Sequence, residues 1–98
     1  MDGRTNLDCI NSEAIVEGIR SGCNVRIHSD GGLRRDDIAS SAWVITGYLY
    51  DRDLHKWRHE RWATYGFTLP PNVSSFLAEA CALESALEVL VGILRRAI

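Results

Sequence analysis

Proline is nearly absent from this chain: Pro70 and Pro71 stand side by side, and there are no others. That pair marks a single sharp break between elements and excludes a proline-rich linker. Cysteine is scarce as well. Cys9, Cys23 and Cys81 are odd in number, and no two have the two-residue gap of a zinc knuckle or redox motif. They read as small packing thiols of a reduced, intracellular chain. No apolar run is long enough to span a bilayer, because Glu79, Glu84, Ser85 and Glu88 interrupt the stretch from Phe76 to Leu94. No membrane partner is expected. No apolar stretch backs the opening Met1-Asp2-Gly3-Arg4, so no secretory signal is expected either.

What is present suits one small folded unit. With 98 residues, 46% of them apolar and 24% charged, a single domain can build a core, and disorder is excluded. The net charge of −2 lacks the basic excess usual for proteins that hold nucleic acid by counterion release. Its distribution is uneven, however. Four arginines and one acid, Asp30, lie between Arg20 and Arg35, whereas three glutamates and no base lie between Pro70 and Gly92.

Periodicity divides the chain into five elements. Residues 12–20 predict a short helix, capped by Asn11 or Ser12, striped by Ile15, Val16 and Ile19, and stopped by Gly22. Val25 to Asp30 alternates as a strand and ends at Gly31-Gly32, with Leu33–Asp37 as a loop. Ala42 to Tyr50 is rich in β-branched and aromatic residues, a second strand. After a turn at Asp51-Arg52-Asp53, Trp57 to Leu69 forms a third strand, with Trp57, Ala63, Tyr65 and Phe67 of one parity. Ser74 or Ser75 then caps a long helix over about 75–95, with Arg95 and Arg96 suited to its C-terminal dipole. The expected class is α+β: a three-stranded antiparallel meander packed by a long C-terminal helix. Residues 1–22 form an N-terminal arm with a short helix, and residues 23–98 form the domain.

On a wheel at about 100° per residue, Phe76, Leu83, Leu87, Leu90 and Leu94 share one stripe of the long helix. That stripe is expected to dock on the sheet. Glu84 and Glu88 share a polar face. Glu79 flanks the stripe, and a carboxylate turned toward the protein body must be paired, protonated or bound to a metal. A second acid to meet it is Asp30, at the C-terminal end of the first strand, although Asp-Gly is also common turn chemistry.

The order of these motifs resembles the first half of a ribonuclease H domain. The matching parts are the strand VRIHSDGG, the hairpin AWVITGYLY to WATYGFTL, and a helix opening SSFLAEACALESAL. In that family the first strand ends in an aspartate followed by glycine, and the helix carries Ala-Glu-x-x-Ala-Leu. Here those are Asp30-Gly31-Gly32 and Ala78-Glu79-Ala80-Cys81-Ala82-Leu83, and the resemblance spans about 25–95. It implies metal-dependent hydrolysis of the RNA strand of RNA–DNA hybrids, as in domains found alone or attached to reverse transcriptases. Asp30 and Glu79 would be catalytic, holding Mg²⁺ or Mn²⁺.

The family also supplies a third aspartate on a fourth strand and a further carboxylate, and this sequence offers no residue for either. The expected chain is therefore truncated relative to the full five-stranded fold and incomplete or inactive as a nuclease. The alternative is a non-catalytic interaction module retaining the first half of the fold. Without a fourth strand, residues 25–30 become a sheet edge open to self-association.

Three arginines are expected to reach phosphates: Arg26 on the first strand, and Arg34 and Arg35 after the glycines. Arg34 and Arg35 are flanked by Asp36 and Asp37 as local counter-charges. The Lys56–Arg61 stretch, basic and interleaved by Trp57 and Trp62, has the pattern of single-strand stacking surfaces, though strand aromatics also build cores.

Overall fold

The computed structural model describes residues 9–33 and 38–97, with Cys9 described by its backbone alone. The strands are β1 (Cys9–Ile10), β2 (Asn24–Leu33), β3 (Ala39–Asp51) and β4 (Lys56–Thr68), and the helices are α1 (Ser12–Arg20) and α2 (Ser75–Ala97). The sheet is antiparallel throughout, in the order β1-β4-β3-β2. The α+β class and the three-stranded meander are as expected, and the two residues of β1 extend the sheet beyond β4. The strands run longer than the periodicity predicts. Gly31 and Gly32 stay in β2, opposite Ser41 and Ser40, because the ladder with β3 continues through them.

Local chemistry sets the helix ends. The Asn11 side chain accepts from the Ala14 N–H at 3.0 Å, and Gly22, at φ +79°, turns the chain out of α1. Ser74 opens α2, its hydroxyl accepting from the Leu77 N–H at 3.1 Å. In the β3–β4 turn, one Asp51 carboxylate oxygen accepts from the N–H groups of both Asp53 and Leu54.

The face of α2 that docks is not the expected one. Ala78, Ala82, Ala86 and Ile93 are buried against the sheet, while Phe76, Leu83 and Leu87 stay exposed. Small residues win because they let the helix axis come close to β2 and β3. A Cβ at Gly31 would lie 2.5 Å from the Ala78 carbonyl oxygen and 2.5 Å from the Glu79 nitrogen. The buried Ser41 hydroxyl donates to the same Ala78 carbonyl at 2.7 Å, and the Trp43 indole N–H donates to the Ser85 hydroxyl at 2.9 Å. Leucines at 78 or 82 would hold the helix too far out to make these contacts.

A second departure lies in β4. The ladder slips between Ile45 and Thr46, which pair with Ala63 and Arg61, so Trp62 is an extra residue. This bulge flips the alternation: Trp57 lies on the opposite face from Ala63, Tyr65 and Phe67. It also drives Trp62 into the core, 2% exposed. Its indole is seated between Gly18 of α1 and Gly47 of β3, where a Cβ on either glycine would overlap the ring. Trp62 and Ile15 join α1 to a core that includes Trp43, Ile45, Ala63, Ala86 and Ile93. The arm and the sheet thus share one core.

Both helices lie on one side of the sheet. Its other side carries Arg26, His28 and Asp30 from β2, Thr46, Tyr48 and Tyr50 from β3, and Trp57, His59 and Arg61 from β4.

Candidate functional site

Asp30 is exposed near the end of β2, opposite Ala42 of β3. Glu79 is exposed in the second turn of α2. Their backbones are neighbours, because Gly31 sits against the Ala78–Glu79 peptide. This contact explains physically why glycine follows the aspartate: any side chain there would push α2 off the strand.

The side chains themselves start on different sides. Ser29 and Gly31 alternate toward α2, so Asp30 leaves β2 on the helix-free face. Glu79 lies about 60° around the helix from the centre of its buried stripe. It is turned away from β4, since Cys81, Ser85 and Glu88 line the α2 flank next to Tyr65 and Phe67 of β4. That leaves Glu79 leaning toward the outer edge of β2. Among the described residues β2 is an edge strand, and none of their strands stands between the two carboxylates there. They can converge only around that edge.

The donor chemistry fits a hard divalent cation, which takes carboxylate oxygens and keeps several waters. Among the described residues no group of three or more His, Cys, Asp or Glu side chains is placed to hold a metal.

Of the arginines expected at phosphates, Arg26 shares the helix-free face with Asp30. Four residues at about 3.3 Å each put it roughly 13 Å from Asp30 along the strand. Its guanidinium lies over the Tyr48 ring, 5.1 Å from the centroid. Arg34 and Arg35 lie outside the described residues.

Sequence reasoning missed the company of Arg26. Tyr48 stacks on Trp57 with ring centroids 5.2 Å apart, His59 lies 4.6 Å from Tyr48, and Tyr50 meets Trp57 edge-on at 5.4 Å. The two-residue spacing of Tyr48 and Tyr50 was the available signal. What hid the cluster was the bulge, which puts Trp57 on the face opposite Ala63, Tyr65 and Phe67, with which plain alternation groups it. Comparison with family models, with curated proteins and with solved structures finds no match to this chain.

Proposed function

We propose that this chain carries the strand, hairpin and helix of a ribonuclease H-like domain directed at RNA–DNA hybrids, with Asp30 and Glu79 as its metal-binding carboxylates. The observation that supports this most is the Gly31 contact, which joins the aspartate-bearing strand end to the glutamate-bearing turn of α2. The backbones of two motifs 49 positions apart (79 − 30) are thereby neighbours, although the Asp30 side chain leaves on the helix-free face. Mg²⁺, or Mn²⁺ in its place, would polarise a phosphate oxygen and make bound water a better nucleophile. The protein's part is to hold two carboxylates at an open strand edge and to position the hybrid by phosphate contacts from Arg26, Arg34 and Arg35.

With two carboxylates the chain is a weak nuclease. Removing one charge-stabilising group from an enzyme site typically lowers the rate by about two to three powers of ten, and the resemblance implies more than one carboxylate beyond these two. The test has two readouts. Mn²⁺ should broaden the backbone amide signals of residues 30–32 and 78–80, and Asp30→Asn should abolish that broadening. Slow Mg²⁺-dependent cleavage of a labelled hybrid should vanish in the same variant. Broadening elsewhere on the chain, or cleavage that survives Asp30→Asn, sinks the site. Localised broadening without any cleavage favours the non-catalytic interaction module.

A further inference from the structure

The helix-free face of the β3–β4 hairpin holds a set of side chains of which the nuclease reading uses Arg26 alone. Trp57 stacks on Tyr48, His59 tilts against Tyr48, Tyr50 abuts Trp57, and the Arg26 guanidinium caps Tyr48. Despite these contacts, Trp57 is 53% and Tyr50 48% exposed, so the cluster presents its rings to solvent. Two exposed arginines, Arg26 and Arg61, flank Thr46 in one row across β2, β3 and β4.

Charge is sorted between the two faces of the hairpin. Asp51 and Glu60 lie on the helix side, where both pair with Arg58, and Glu60 also accepts from the Trp62 indole N–H. The aromatic side holds Arg26, His28, His59 and Arg61, with Asp30 as its acid at the far end of β2. Among the described residues neither Arg26 nor Arg61 is paired with a carboxylate. Beside the rings, Asn24, Tyr48, Tyr50 and Trp57 line part of a cleft of about 250 Å³. That is near the lower end of the range for small-ligand pockets.

We propose that this face binds single-stranded nucleic acid, with bases stacking on Trp57 and Tyr50 and the backbone running along Arg26 and Arg61. Rings that offer a face to water, with unpaired cations beside them, match a chain alternating flat bases with phosphates. An acidic peptide would use the cations and leave the rings idle, and an apolar partner would do the reverse. The inference goes beyond the nuclease reading, because it needs neither Asp30 nor Glu79 nor a metal.

The test is titration of the full chain with a fluorescent single-stranded oligonucleotide, read by anisotropy and by tryptophan quenching. Stacking is worth about 1–3 kcal/mol per base, so Trp57→Ala should weaken binding roughly 5- to 150-fold. Trp57→Phe should keep most of the affinity, which guards against a merely misfolded variant. Arg61→Gln should lower the slope of log affinity against log salt by about 0.7, one phosphate's share. Chelation of divalent metal should leave binding unchanged. Three results overturn the proposal: no binding, binding indifferent to both Trp57→Ala and Arg61→Gln, or loss of affinity in Trp57→Phe equal to that in Trp57→Ala. Tryptophan quenching that follows protein concentration without oligonucleotide also overturns it, since the face then belongs to a second copy.

Discussion

At the scale of single residues, glycines decide where parts meet. Gly31, Gly18 and Gly47 are each at a point where a methyl group would strike backbone or an indole. Gly47→Ala should therefore destabilise by overpacking, about 1–3 kcal/mol, which in a domain this size lowers the melting temperature by roughly 4–20 °C. Thermal unfolding followed by circular dichroism measures it. Gly32, with nothing within 4 Å of a built Cβ, is the matched control, and Gly32→Ala should change stability far less. Gly31→Ala should act twice, lowering stability and parting Asp30 from Glu79. Its signature is loss of Mn²⁺-induced broadening at residues 78–80 in a protein that remains folded.

At the scale of elements, much was legible in the sequence. Capping residues, strand composition and the Pro70-Pro71 break placed both helices and all three long strands, because those signals are local. What failed was non-local. The docking face of α2 could not be chosen from hydrophobicity, since the competing stripe is the more apolar one. Alanines won through closeness to Gly31 and Ser41, partners about 40 positions away. The bulge at Trp62 was equally hidden, because only the pairing partner shows that a residue is extra. The Asp30–Glu79 locus was legible as two motifs, and their side-chain directions were not. The orientation of α2 is directly testable. Ala82→Leu, on the buried face, should lose about 1–3 kcal/mol by overpacking. Leu87→Ala, on the exposed face, should stay within about 0.5 kcal/mol apart from helix propensity. Chemical denaturation of the two variants decides it, and the reverse order would place α2 the other way round.

At the scale of the whole molecule, two surfaces look outward on the same side. Among the described residues β2 ends the sheet and no strand pairs its outer row of backbone groups, and α2 turns Leu83 and Leu87 away from the sheet, each nearly half exposed. A two-fold axis normal to the sheet would pair two β2 strands antiparallel and set two α2 helices side by side. On that geometry, sedimentation over a wide dilution series should show reversible dimerisation, abolished by Leu83→Lys with Leu87→Lys. A monomer at every concentration would leave the edge of β2 without this partner.

The seat of Trp62 has a consequence for how the chain is made. Residues 12–20 leave the ribosome before the β3–β4 hairpin does, with Ile15 and Gly18 still lacking what covers them. Gly18 waits 44 positions (62 − 18) for its indole. Over that interval the first helix carries an uncovered apolar stripe and, at nine residues, is too short to persist on its own. The N-terminal segment is therefore expected to settle only once the hairpin that follows it has formed, reversing the order in which the two are synthesised.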